Sequence, residues 1–290
     1  MDISGMSFDQ SQEEIMLRKY GFNETPFGES ADIRFLYLSP AHRNVFFTIT
    51  KTIDLRWGLA VSLGGYGMGK SSLARLTYSK YTENQNVKII YLDAQNLTTE
   101  FNTLNSVCNA FGLRPGRGIG GQWKIFNEFI VESSKSDINL VVLMDDAQKM
   151  TSDSLEFIHK CFNFDVNRKL VQLILFGQPE LIIRLKRKPE LYDRVQAWPD
   201  INPLDLEETI KLINYRCVVA GRSEPLFTSK ALFHIFNTTK GYPRKIVKLC
   251  KYVLMQIMES GKGVADEDDV NAALQKLRSS YEINIDELLI

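Results

Sequence analysis

The sequence predicts an α/β fold, a three-layer core built on a parallel sheet, followed by an all-α domain. Three observations lead there. The apolar run Trp57-Gly58-Leu59-Ala60-Val61-Ser62-Leu63 enters a glycine loop, and a helix pattern, Ser72-Leu73-Ala74-Arg75-Leu76, leaves it. Further apolar runs at 87–92, 140–144 and 170–176 alternate with helical patterns, as parallel strands joined by crossover helices do. After Leu204 the strand patterns stop. Residues 206–220, 228–239, 243–260 and 267–277 then read as four consecutive helices, several opening on Asp, Ser or Thr caps.

In chain order, residues 1–34 read as an N-terminal extension with one polar helix around 10–20 and a turn at 23–28. Ser39-Pro40 sets a helix start, with serine as cap and proline in the first helical position. Val45, Phe46, Ile49 and Ile53 continue that helix at helical spacing. A last strand is expected near 196–201. The α/β domain is therefore assigned to 35–204, a helical lid to 205–280 and a tail to 281–290. Arg114-Pro115-Gly116-Arg117-Gly118-Ile119-Gly120-Gly121 reads as a mobile surface loop.

Bulk properties narrow the function. At 290 residues the chain holds one α/β domain and a smaller companion. With 35 basic and 35 acidic residues, no global field draws it to nucleic acid or to an anionic membrane. Any such binding must come from a local patch or from several assembled copies. Cys108, Cys161, Cys217 and Cys250 are far apart and form no C-x-x-C pattern, so they read as reduced thiols and not as zinc ligands. No apolar stretch approaches a membrane span, and the acidic, polar N-terminus is unlike a signal peptide, which predicts a cytoplasmic protein.

Gly64-Gly65-Tyr66-Gly67-Met68-Gly69-Lys70-Ser71 has the form G-x-x-x-x-G-K-S between strand and helix. Glycines let such a loop curl until successive N–H groups face phosphate oxygens, and the helix N-terminus adds partial positive charge. Lys70 is expected to reach the β- and γ-phosphates of ATP, Ser71 to ligate Mg²⁺, and Ser72 to complete the contact set. Leu140-Val141-Val142-Leu143-Met144-Asp145-Asp146 supplies the second half of the site, an apolar strand ending in two carboxylates. Asp145 fits the magnesium role, and Asp146 that of the group polarising the attacking water. Asp146 is one methylene shorter than a glutamate, which predicts slow or partner-dependent hydrolysis.

Several motifs in one order resemble the ExeA-type AAA+ ATPases, general secretion pathway protein A and its relatives. They are Asn23-Glu24-Thr25-Pro26-Phe27, Arg34-Phe35-Leu36-Tyr37-Leu38-Ser39-Pro40-Ala41-His42, the glycine loop, Met144-Asp145-Asp146-Ala147-Gln148, Phe176-Gly177-Gln178-Pro179-Glu180-Leu181 and Gly241-Tyr242-Pro243-Arg244. The same module resembles the TniB, TnsC and MuB-like target-selection ATPases of transposons. The chain departs from the family pattern at Asp146, usually glutamate, and lacks the membrane segment and peptidoglycan-binding domain of full-length secretion members. The resemblance implies that Gln178 senses the γ-phosphate or the lytic water. It implies that Arg194 is a finger reaching a neighbouring subunit's nucleotide, and that Arg244 is the sensor of the lid. It also makes His42 and Ile210 candidates for the adenine pocket.

Two partner classes follow. In the first, ATP drives a homo-oligomeric ring or filament onto duplex DNA, independent of base sequence, and the assembly recruits a recombination partner such as a transposase. Arg114, Arg117, Arg184, Lys186, Arg187 and Lys188 are the candidate DNA contacts, since a few phosphate contacts per subunit sum along an assembly. Lys240, Lys245, Lys248 and Lys251 form a second basic face. In the second, the protein is an assembly factor for a secretion or pilus machine. The missing membrane segment favours the DNA reading.

Overall fold

The computed structural model describes residues 10–28, 32–162 and 169–281. Helices and strands follow in the order α1 (Gln10–Lys19), α2 (Pro40–Asp54), β1 (Leu59–Gly64), α3 (Lys70–Thr82), β2 (Val87–Asp93), α4 (Glu100–Ala110) and α5 (Gly118–Lys135). Next come β3 (Asn139–Asp145), α6 (Ser154–Cys161), β4 (Val171–Gly177), α7 (Glu180–Lys186), α8 (Pro189–Tyr192), β5 (Val195–Ala197) and β6 (Asp200–Ile201). The helices α9 (Leu206–Val219), α10 (Ser229–Thr239), α11 (Pro243–Ser260) and α12 (Glu267–Tyr281) close the described chain. It divides into two compact units, residues 40–202 and residues 1–39 together with 203–290.

The first unit is a parallel sheet in the order β2-β3-β4-β1-β5, with β6 also pairing to β1. β1, β3 and β4 are buried along their whole length, as strands covered on both faces must be, which is why they read as continuous apolar runs. β2, at the edge, is mostly half-buried, with Ile90 buried and Lys88 and Asp93 exposed. Leu63 pairs with Gly177 and Met144 with Leu175, so the register brings the carboxyl ends of β1, β3 and β4 to one edge of the sheet. That edge, beside the point where the strand order reverses, is where open α/β sheets bind ligands.

Two expectations are corrected here. The strand near 196–201 is two short ones, because Pro199 has no N–H for the ladder; its carbonyl instead accepts the Leu63 N–H at 3.3 Å. The glycine-rich stretch 114–121 is not one loop, since α5 begins at Gly118. The fully buried Gln122 pins the preceding turn, accepting the Gly116 N–H on Oε1 at 2.6 Å.

The second unit is helical. α9 opens on a capping box between Asp205 and Glu208, and α10 on a Thr228 cap. Gly241, at φ 77°, lies so close to Leu204 that a Cβ would fall 1.9 Å from the Leu204 carbonyl oxygen, so only glycine fits. The N-terminal segment is part of this unit's core and not an extension from the sheet domain. Leu17, Tyr20, Phe22, Phe27 and Phe35 are buried with Ile213, Leu249 and Ile257. Tyr20 donates its hydroxyl proton to the Ile257 carbonyl at 2.8 Å.

Arg216 of α9 fastens the segment. Its guanidinium, 8% exposed, donates to the carbonyls of Pro26 at 2.7 Å, Gly28 at 3.0 Å and Phe35 at 3.3 Å. It also lies over the Phe35 ring, 5.0 Å from the centroid. A charge this deep persists because main-chain oxygens replace its water. We expect Arg216→Ala to lower unfolding stability by about 2–4 kcal/mol, because three carbonyls lose a charged donor. Urea denaturation checks this, and an unchanged midpoint contradicts it.

Candidate functional site

The site is built on the carboxyl edge of the sheet. β1 ends at Gly64, the loop turns through Gly67 and Gly69 in left-handed conformations (φ 74° and 89°), and α3 begins at Lys70. Tyr66 at the tip is half exposed, whereas Met68 is buried and anchors the loop to the core. His42 of α2 braces the turn: its Nε2 lies 2.9 Å from the Met68 carbonyl oxygen. Because a carbonyl only accepts, this nitrogen carries the proton. A Cβ on Gly69 would come within 3.0 Å of the same Nε2, so the brace and the glycine require each other. His42 thus supports the loop from behind. Ile210 packs on the core of the helical unit.

Lys70 is buried and donates from Nζ to the carbonyls of Gly64 and Gly65, each at 2.8 Å. Burial pulls its ammonium below the ordinary lysine range, while the charges of Asp145, Asp146 and Glu180 act in the opposite sense. Ser71 is exposed in the first turn of α3, and Ser72 beside it is half-buried. Ser71 and Asp145 offer a hydroxyl and a carboxylate oxygen, a donor set that suits a hard divalent cation.

The two aspartates have different surroundings. Asp145, the last residue of β3, is buried; its Oδ2 accepts the Tyr91 hydroxyl proton at 2.8 Å and its Oδ1 the Asp146 N–H at 2.9 Å. Burial and the Asp145 carboxylate push the Tyr91 hydroxyl pKa well above the ordinary tyrosine value, which keeps it a donor. Asp146 has left-handed backbone, φ 53° and ψ 34°, a conformation rare outside glycine. Its Oδ1 accepts from Gln148 Nε2 at 3.1 Å and its Oδ2 from Lys149 Nζ at 2.9 Å. Burial works to raise this carboxyl, but the hydrogen bonds from Lys149 and Gln148 outweigh it and hold the group below the usual carboxylate range.

Gln148 links the strands at this edge. Its Oε1 accepts the Gln178 N–H at 3.1 Å while its amide nitrogen holds Asp146, so β3 and β4 are tied at their carboxyl ends. Glycine loop, Asp145, Asp146 and Gln178 are thereby gathered on one edge, as the sequence predicts. Tyr91 and Lys149 were not singled out from the sequence. Their only signal is position, on the strand next to β3 and three residues beyond Asp146.

The remaining expected residues belong to other elements. Arg194 follows α8 and stacks over Phe162, 5.7 Å from its centroid. Arg244 belongs to the helical unit, in the first turn of α11. Arg184 donates to the Met150 carbonyl at 2.7 Å and Lys188 pairs with Glu156, so both carry internal contacts. Arg114, Arg117, Lys186 and Arg187 are exposed.

Residues 57–185 match the AAA domain family. General secretion pathway protein A of Aeromonas hydrophila is 27% identical over 271 residues, covering 91% of this chain and 48% of that protein. An uncharacterized HTH-type transcriptional regulator of Methanocaldococcus jannaschii is 27% identical over 157 residues, 52% of this chain and 38% of its own. The chain thus spans about half or less of the curated relatives it matches. Among solved structures, the ORC2 protein of Aeropyrum pernix superposes with TM-score 0.65 at 15% identity, over 89% of this chain and 74% of its own. Cdc6p of Pyrobaculum aerophilum gives 0.66 at 15%, over 87% and 70%. The RuvB branch migration motor of Thermotoga maritima gives 0.57 at 14%, over 84% and 74%. Glycine loop, paired aspartates and parallel sheet agree with the match of residues 57–185 to the AAA domain, and the chain is similar over most of its length to General secretion pathway protein A.

Proposed function

We propose that the protein binds Mg²⁺-ATP at the glycine loop, assembles with ATP into a ring or filament on duplex DNA, and recruits or regulates a recombination partner such as a transposase. The observation that carries the nucleotide reading is the convergence of the left-handed glycine loop, Lys70 and Asp145 on one sheet edge. Ser71 and Asp145 would hold the magnesium ion, which when bound offsets phosphate charge. Lys70 exchanges its two carbonyl partners for phosphate oxygens. Asp146 orients the attacking water, and Gln178, tied to the same edge, reports on the γ-phosphate. Arg194, supplied from a neighbouring copy, and Arg244 of the helical unit add guanidinium charge at the transferring group.

The DNA reading is supported by two solved structures that share the fold: one is the ORC1 protein of Aeropyrum pernix in complex with DNA, the other the Thermotoga maritima RuvB Holliday junction branch migration motor. Exposed Arg114, Arg117, Lys186 and Arg187 supply phosphate contacts that repeat from copy to copy. They read no bases, so binding is independent of sequence. A second reading, an assembly factor for a secretion or pilus machine acting on protein, is favoured by the similarity to General secretion pathway protein A. Among the described residues no helix is long and apolar enough to cross a membrane. A cytoplasmic location belongs to the same proposal.

The deciding experiment is fluorescence anisotropy of a labelled random-sequence duplex, titrated with protein under ATP, ADP or no nucleotide. Tight binding with ATP alone, weakening steeply with salt and lost in Lys70→Ala, is the expected result. No binding in any state at low salt and micromolar protein rules out the DNA reading and favours the secretion one. A second expectation concerns the short carboxylate. Asp146→Glu should raise ATP turnover about tenfold, since a longer arm brings the base to the water. A steady-state rate equal to or below that of the natural protein would show that reach does not limit hydrolysis.

A further inference from the structure

Asp145 is fixed from a direction that the glycine loop does not explain. Tyr91 lies opposite Leu143 in the β2–β3 ladder, two residues before Asp145, and same-face residues alternate along a strand. Its ring therefore runs diagonally along the sheet toward the carboxylate, a reach that aromatic side chains cover. The hydroxyl donates to Oδ2 at 2.8 Å, while the Asp146 N–H donates to Oδ1 at 2.9 Å. Two donors, one from β2 and one from the residue just after β3, fix the plane of the carboxylate.

We propose that Tyr91 is a positioning residue for the metal-binding carboxylate, holding Asp145 so that it meets a divalent cation in one orientation. This rests on the Mg²⁺-ATP reading of the site. It sets β2 behind the metal ligand, where a loop-and-aspartate description has only β1 and β3. Outer-shell partners of this kind commonly govern metal affinity about 10- to 100-fold. A hydroxyl that merely satisfies its own burial would instead affect stability alone.

The test uses the full chain with a non-hydrolysable ATP analogue and Mn²⁺ as the probe, read by electron paramagnetic resonance. Tyr91→Phe keeps the ring and removes the donor. It should weaken Mn²⁺ binding to the analogue complex about tenfold, with metal-free affinity for the analogue unchanged. The Mg²⁺ concentration for half-maximal turnover should rise in parallel. Mn²⁺ affinity within about twofold of the natural protein in Tyr91→Phe overturns the inference. So does equal loss of metal-free nucleotide binding, which would mark a packing role. If the natural protein binds no analogue with or without metal, the Mg²⁺-ATP reading itself fails, a result distinct from the other two.

Discussion

The carboxyl edge of the sheet depends on parallel pairing between strands buried on both faces. With β1 held by β4 on one side and by β5 and β6 on the other, its last residue cannot slide without breaking ladders in both directions. A slip of one residue would also turn every apolar side chain of a fully buried strand to the wrong face. The position of Gly64 is therefore set by the core, and the loop beyond it inherits that precision. The same register delivers Asp145 and Gln178 to the level of the loop. Geometry that the proposed nucleotide site needs is thus a by-product of packing.

Polar groups at this edge are bound to one another. Met68 is braced by His42, Lys70 by two carbonyls, Asp145 by Tyr91, and Asp146 by Gln148 and Lys149. Where the members are buried, as at His42, Lys70 and Asp145, such a pair is stronger than in solvent and an unpaired member is costly. The left-handed backbone at Asp146 is tolerated within this network, with its carboxylate held at both oxygens. Strain of that kind persists only where surrounding contacts over-determine it.

Much of this was legible in the sequence, for identifiable reasons. The glycine loop is a local signal, carried by eight consecutive residues between a strand and a helix. The strand at 140–144 and its aspartates are local too, because full burial writes itself as an unbroken apolar run. What the sequence did not reveal is set by register and by long-range contact. Tyr91 matters through its place opposite β3, and a single tyrosine in an edge strand carries no mark of its neighbour. Arg216 looks like any helical arginine until the carbonyls of Pro26, Gly28 and Phe35 are found around it. Phe22 and Phe27 read as part of an extension, and Phe35 as the start of the α/β domain, because their packing partners lie some two hundred residues away.

That discontinuity bears on how the chain is made. The helical unit draws its core from the first 39 residues and from those after 202, with the whole α/β unit between them in sequence. During synthesis Phe22, Phe27 and Phe35 leave the ribosome before any of α9 to α12 exists. The α/β unit, contiguous over 40–202, is complete long before the helical unit can close. Loop-closure entropy for the late pairing is small per added residue, since it grows only with the logarithm of the separation. The exposed aromatic segment must nevertheless remain soluble for the interval, which makes it a natural client for chaperones and a point of attack for proteases.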